Sequence, residues 1–255
     1  VLKKQPEGLS FSRFAKNEYD RGLIICRSQG HVWSLPLISG GTPYYNKDAY
    51  LPVPRENGVL EAVPDVKHCA LVPKLVLEDG REAIPACFFD SIEEKGENSC
   101  QIILKKLCLI SNDSPSSLEG IEAVTTYTFT GKEILREDVF SITDSQINVK
   151  EVHLTFDTFS EDASDLKNRV IFGKGPISSI ETSPYDSCQI RRLNPSDDKK
   201  GQTEQVIDLS AVGMDSYKIS EDSFDTPHGP NRTSVFWKKK VEGENEIHLF
   251  WKIAY

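Results

Sequence analysis

The sequence predicts an all-β protein, built as a large antiparallel β-sandwich with little helix. Short apolar or alternating runs recur along the whole chain of 255 residues. Each is of strand length, enriched in β-branched and aromatic residues, and closed by Gly, Pro, Asn, Asp or Ser. No segment keeps an apolar period of about 3.6 residues over roughly three turns, so any helix is short and peripheral. Roughly a dozen strands stack as two antiparallel sheets whose inner faces share one core.

In chain order, residues 1–20 form an N-terminal extension or linker, and 1–255 is otherwise a single sandwich domain. "GLIICRS" and "HVWSLPLI" are the first strands, followed after a proline-rich loop by "ALVPKLVLED", "EAIPACFFDSIEE" and "CQIILKKLCLIS". The polar tract "SNDSPSSLEG" (111–120) is a loop, and "AVTTYTFTG" and "EILREDVFSI" are strands on its far side. In "VHLTFDTF", Val152, Leu154, Phe156 and Thr158 alternate with His153, Thr155, Asp157 and Phe159. That period of two predicts one buried face. "NRVIFGKG", "ISSIETS" and "QVIDLSAV" follow as strands, with "FGKGP" (172–176) as a turn and "NPSDDKKGQTE" (194–204) as a second polar loop. "SVFWKKKVEGENEIHLFWKIAY" predicts a closing hairpin turned at "EGEN". There is no internal repeat.

Composition narrows the function. Hydrophobic residues make up 38% and charged residues 27%, and no run approaches the roughly 18 apolar residues that span a bilayer, so no membrane insertion is expected. A formal charge of -9 argues against nucleic acid as a general partner, since phosphate binding draws on clustered Lys and Arg. "VLKKQPEG" lacks the apolar stretch of an export signal. The six cysteines show no C-x-x-C pair or other metal-ligand spacing. Cys26, Cys87 and Cys108 sit in apolar runs, where a thiol behaves as a small hydrophobe. Reduced core thiols favour a cytoplasmic over a secreted or periplasmic protein, and the chance-prone "NRT" at Asn231 adds little to the contrary.

Catalytic signatures are sparse. There is no G-x-S-x-G elbow, no phosphate-binding G-x-x-x-x-G-K-[ST] and no H-E-x-x-H. Among 39 carboxylates, no acid/base pair can be chosen without geometry. The stretch from Gly30 to Glu61 is different. Pro36, Pro43, Pro52 and Pro54 exclude a helix, and the ordered loop they stiffen gathers groups suited to an acidic sugar. Tyr44, Tyr45 and Tyr50 offer aromatic faces and hydroxyls, Asn46 an amide, Arg55 a fork for a carboxylate, and His31 a titratable ring. Proline-flanked tyrosines also serve simply to fix a loop against a sheet. His68 beside Cys69 would need a base across the fold to act as part of a nucleophile. His153 and His248 alternate with apolar neighbours and point outward, and His228 lies in a turn. "KKK" (238–240) and "KK" (105–106) are solvated strand ends, or sites for an extended polyanion.

Taken in order, "VWSLPLISGGTPYYNKDAYLPVPRENGVLEAVPD", "ALVPKLVLEDGREAIPACFF", "TGKEILREDVFSI" and "VKEVHLTFDTFS" resemble the C-terminal β-sandwich region of heparinase II/III-like polysaccharide lyases and related uncharacterised proteins. The resemblance covers residues 20–160, with strand pattern alone beyond, and rests on order and texture. It implies a sandwich that follows an (α/α) toroid, with substrate in the cleft between the two, and the 255 residues hold no toroid. It implies β-elimination on uronate polymers: a group that neutralises the carboxylate, a Tyr or His base for the C5 proton, and an acid for the leaving oxygen. Most of these groups come from the toroid in that family. The resemblance therefore implies a cleft wall, with Tyr44, Tyr45 and His31 as candidate catalytic groups and Asn46, Tyr50 and Arg55 as substrate-binding groups. No His and Asp set maps onto the metal that some members carry, so neither metal nor cofactor is expected. The implied partners are an acidic polysaccharide or oligosaccharide and a helical toroid domain or chain. A non-catalytic sandwich that binds a glycan or packs against another protein is the alternative, and a self-contained lyase using the same Tyr and Arg is a further one.

Overall fold

The computed structural model describes residues 8–16, 19–28, 31–38, 69, 71–86, 88–110, 116–131, 133–160, 168–172, 175–176, 187–193, 204–223 and 230–254. These form strands alone, with no helix. In chain order they are β1 (Gly8–Lys16), β2 (Tyr19–Ser28), β3 (His31–Ile38), β4 (Lys74–Leu77), β5 (Glu82–Ile84), β6 (Phe89–Glu94) and β7 (Ser99–Leu104). Then come β8 (Leu107–Leu109), β9 (Ser116–Leu118), β10 (Ile121–Thr130), β11 (Glu133–Ile142), β12 (Val149–Ser160), β13 (Asn168–Phe172) and β14 (Gly175–Pro176). The last are β15 (Ser187–Leu193), β16 (Glu204–Val212), β17 (Ser216–Ser223), β18 (Asn231–Lys240) and β19 (Glu246–Ala254).

Antiparallel pairing gathers the later strands into two large sheets. One has nine strands in the order β14-β13-β15-β16-β19-β11-β10-β7-β6, the other seven in the order β17-β18-β12-β4-β5-β8-β9. A third sheet, β1-β2-β3, has three, so residues 8–16, inside the stretch expected to be an extension or linker, are a strand. Its Cys26 is buried in the core, with Sγ 3.7 Å from Asn98 Oδ1. The predicted turn at "FGKGP" lies between β13 and β14, where Phe172 pairs with Gly175.

The two large sheets meet face to face through alternating residues. From β10, Ile121, Ala123, Thr125, Tyr127 and Phe129 point inward, and from β11, Ile134, Arg136, Asp138 and Phe140. Phe156 of β12 stands edge-on to Trp237 of β18, centroids 5.4 Å apart, and to Trp251 of β19 in the opposite sheet, 5.5 Å apart. All three rings are fully buried, so one phenyl ring locks both layers, an arrangement aromatic quadrupoles favour. Cys69, Cys100, Cys108 and Cys188 are buried as well, and Cys87 lies outside the described residues. Burial pushes the Cys100 thiol up to about 12, and the Cys188 thiol well above its ordinary value. Both are therefore protonated packing groups rather than nucleophiles.

Two local expectations are corrected. The C-terminal strands are not a hairpin: β18 pairs with β12 and β17, whereas β19 pairs with β11 and β16. The chain arches from one sheet to the other, anchored where Val241 N–H donates to Lys150 C=O and Ile142 N–H to Asn245 C=O. The physical reason is that both strands are apolar on one face. Arching sets Val235 and Trp237 of one sheet against Leu249 and Trp251 of the other, which buries both stripes, whereas a hairpin would lay them side by side. The second correction is to β12, where Thr155 and Asp157 are as buried as Phe156 and Thr158. Both faces of this strand are covered, not one.

Charge is also buried between the sheets. Arg136 donates through Nε and Nη2 to Asp138 at 2.8 Å each, and through Nη1 to the Tyr127 hydroxyl at 2.6 Å. Thr125 Oγ1 donates to Asp138 at 2.6 Å. The guanidinium lies over the rings of Tyr127 and Trp251, 5.1 and 5.9 Å from their centroids. Nη1 also reaches across to the Leu71 carbonyl at 3.4 Å. Leu71 itself has φ 68° and Cys69 φ 48°, a left-handed conformation costing about 1–3 kcal/mol for such side chains. Leu71 N–H donates to Thr155 C=O at 2.8 Å. A core arginine and a strand carbonyl thus hold the strained segment that leads into β4.

Candidate functional site

The strained segment delivers Lys74 to the outer face of the seven-stranded sheet, beside His153 of β12. Register continues this face. His153 lies opposite Lys238, and Thr155 opposite Phe236, which in turn faces Lys218 of β17. One step further, Asp157 opposes Ser234, and Arg232 opposes Asp222. The alternation that turns Trp237 and Tyr217 inward turns these residues to the other face. There Thr155, Asp157, Arg232 and Ser234 are buried, and His153, Lys218, Asp222 and Lys238 reach solvent in part or fully.

Two polar clusters form there. In the first, the Glu151 carboxylate bridges Lys238 Nζ at 2.6 Å and His153 Nε2 at 3.0 Å, while Lys74 Nζ meets Glu82 at 3.0 Å. Lys74 is buried along its stem and head, its side chain 8% exposed. In the second, Ser234 Oγ donates to Asp157 Oδ1 at 2.6 Å, and Arg232 holds Asp222 through Nε at 2.7 Å and through Nη2, with Nη1 3.8 Å from Asp157. Lys218 and Lys240 add exposed cations. Among the described residues of this face, Lys74, Lys218, Arg232, Lys238 and Lys240 outnumber Glu82, Glu151, Asp157 and Asp222. Asp215 Oδ2 also accepts from the Lys240 N–H at 2.6 Å, so in a chain of charge -9 this is a patch of nearly balanced sign.

The electrostatics of the first cluster follow from its burial. Burial pushes the Glu151 carboxyl up, but hydrogen bonds from Lys238 and His153 outweigh it and hold the group below the usual range. His153 is shifted down, first by burial and then by the Lys74 and Lys238 ammonium groups, against the opposing pull of Glu151. The face therefore presents a neutral imidazole, oriented by an ionised carboxylate and flanked by two ammonium groups. Such a set can hold an anion and accept a proton.

This arrangement predicts a pH dependence. With the folded His153 pKa depressed, the unfolded chain binds the extra proton first, so stability is full above about pH 6.5 and falls as pH drops from there towards the folded value. Depression of Glu151 acts in a lower window, with stability present above 4.5 and lost as pH falls through its folded value. In a set of denaturant titrations from pH 7.5 to 5, about the span of a histidine titration, the difference between the parent chain and His153→Gln should shrink on acidification. A constant difference would show that His153 does not titrate between the two states.

Of the candidates taken from the sequence, Tyr44, Tyr45, Asn46, Tyr50 and Arg55 lie outside the described residues, as do His68 and His228. His31 opens β3 with its backbone opposite Ser28, and its side chain is not described. His248 is exposed on the outer face of the nine-stranded sheet, 2.6 Å from Glu246. The sequence reading did not single out Glu151, Lys74 or Arg232. The available signal was "KKK" (238–240) beside strand alternation: Lys238 and Lys240 share the outer face, while Lys239 turns the other way and pairs with Glu244 at 3.9 Å. Among the described residues no group of three or more His, Cys, Asp or Glu could hold a metal ion. No protein-family model matches the chain, and no curated protein matches it.

Proposed function

We propose that this chain is the β-sandwich part of a polysaccharide-lyase-like protein, and that it holds an acidic, uronate-bearing polymer against the outer face of the seven-stranded sheet. The observation that carries the reading is the His153 imidazole set beside Lys74 and Lys238, with exposed Lys218 and Lys240 on the same face of an otherwise acidic chain. A uronate polymer presents a carboxylate on successive sugars, and a sheet face spaces its cations at intervals that suit such a repeating anion. The ordered resemblance of residues 20–160 to lyase sandwiches supports the same substrate class and adds the proline-stiffened loop with Tyr44, Tyr45, Asn46, Tyr50, Arg55 and His31 as a further wall. β-Elimination in this setting assigns His153 or a loop tyrosine to proton transfer, and Lys74 and Lys238 to neutralising the uronate carboxylate. The isolated chain contributes binding, with elimination depending on groups from a helical partner domain or chain.

The test is calorimetric titration with an oligogalacturonate at low and moderate salt. Lys218→Glu with Lys240→Glu, both exposed strand positions, should weaken binding about tenfold or more while the unfolding midpoint stays near its parent value, because each charged contact contributes on the order of 1.5–3 kcal/mol. Unchanged affinity in that variant, or equal affinity for a neutral oligosaccharide of the same length, would remove this face from the reading. Strong growth of ultraviolet absorbance from the conjugated product with the chain alone would instead make it a complete lyase.

A further inference from the structure

The outer face of the nine-stranded sheet has the opposite character. Val212 of β16 and Phe250 of β19 are 57% and 38% exposed, and they are directly paired neighbours. No other large hydrophobic side chain among the described residues is exposed. Single surface hydrophobes are ordinary and contiguous ones mark contact surfaces, and here two stand in register. Half-buried Val139, Val124 and Ile103 continue from it as one row across β11, β10 and β7, diagonal to Phe250. Carboxylates frame this stripe. Glu137 lies opposite Phe250, and Glu246, Glu133, Glu122 and Asp208 surround it. Lys252 and Lys105 answer Glu133 and Glu122 at 3.3 and 3.2 Å, His248 lies 2.6 Å from Glu246, and Gln189 Nε2 donates to Asp208 at 2.7 Å. Glu137 meets no cation within ion-pair distance among the described residues.

We propose that this face docks a cationic polypeptide segment, with an apolar side chain seated on Val212 and Phe250 and basic residues facing Glu137, Glu246 and Asp208. Charge complementarity selects the occupant. The acidic frame repels the polyanion assigned to the other sheet, and a second copy of a chain of charge -9 would be repelled at long range, whereas a basic segment is drawn in. A neutral glycan would need a broader aromatic platform than one phenyl ring beside valines. A segment lying across the strands from β16 towards β7 can set apolar side chains on the stripe and basic ones towards the carboxylates on either side of it, with apolar anchoring giving affinity and charge giving register.

The experiment titrates the chain with a synthetic peptide that alternates Lys with Leu and Val, followed by amide NMR shifts, and repeats it with an oligolysine of equal charge and with the Glu counterpart. Shifts should centre on β16 and β19 around Val212 and Phe250. The oligolysine should bind at least about tenfold more weakly for want of an anchor, and the acidic peptide not at all. Phe250→Ser and, separately, Glu137→Lys should each lower affinity severalfold without moving the unfolding midpoint much, since both positions are exposed. Shifts elsewhere on the molecule, or affinity unchanged in Phe250→Ser, would overturn the proposal. So would saturable shifts at Phe250 from a neutral oligosaccharide with none from the alternating peptide, or sedimentation showing self-association that Phe250→Ser abolishes. Because the two faces lie on different sheets, failure of uronate binding leaves this outcome untouched, and the reverse.

Discussion

Replacing Arg136 by leucine is expected to destabilise the sandwich by about 3–5 kcal/mol, measured as a fall in the urea midpoint at unchanged slope. Asp138 is fully buried and takes two hydrogen bonds from Arg136. Without them its charge is left in the low-dielectric space between the sheets, with the Thr125 hydroxyl as its remaining side-chain donor among the described residues. The Tyr127 hydroxyl and the Leu71 carbonyl lose the same partner. Adding Asp138→Leu to Arg136→Leu should recover much of the loss, because a buried ion pair replaced whole by apolar side chains is often near neutral. A double variant no more stable than the single one would place the cost in the lost bridge to Leu71 or in the lost stacking on Tyr127 and Trp251, not in the stranded carboxylate.

Phe156→Ala should be of similar size, about 3–5 kcal/mol. The ring is fully buried and lies edge-on to an indole of each sheet, so truncation opens a void where the two layers touch and neither layer can close it alone. Phe156→Leu keeps most of the volume and should cost less than half as much. Because Trp237 and Trp251 are themselves buried, their fluorescence follows the same transition that the denaturant titration measures. A loss below about 1 kcal/mol in Phe156→Ala would mean that the layers relax into the gap and that the contact does not lock them.

Sequence periodicity carried the sandwich a long way. The strands β10 and β11 were legible as strands from their β-branched and aromatic residues, with Thr125, Arg136 and Asp138 as polar exceptions on the inner face. Those exceptions were illegible for a physical reason: a charge is accepted in a core when its partner stands in register, and register is a property of pairs of strands. The same limit explains the missed arch between β18 and β19. "EGEN" is a good local turn, and nothing local tells a turn within a sheet from a crossing between sheets. For the outer face, His153 was correctly turned outward by alternation, but Glu151 is one carboxylate among 39 until pairing sets Lys238 beside it. Thr155 and Asp157, polar residues at outward positions, gave no sign that they would be buried.

The place of β19 bears on how the protein is made. Every other strand of the nine-stranded sheet precedes it in the chain, yet β19 lies in the middle, between β16 and β11. During synthesis, then, the two halves of that sheet emerge with open inner edges that no earlier strand can fill, and the second half of the core waits on residues 246–254. Open edges of this kind pair promiscuously with other chains. Productive folding is accordingly a late, long-range closure, slow by virtue of its contact order, and a ribosome stalled short of Glu246 would release a chain with two half-sheets and an exposed template for aggregation.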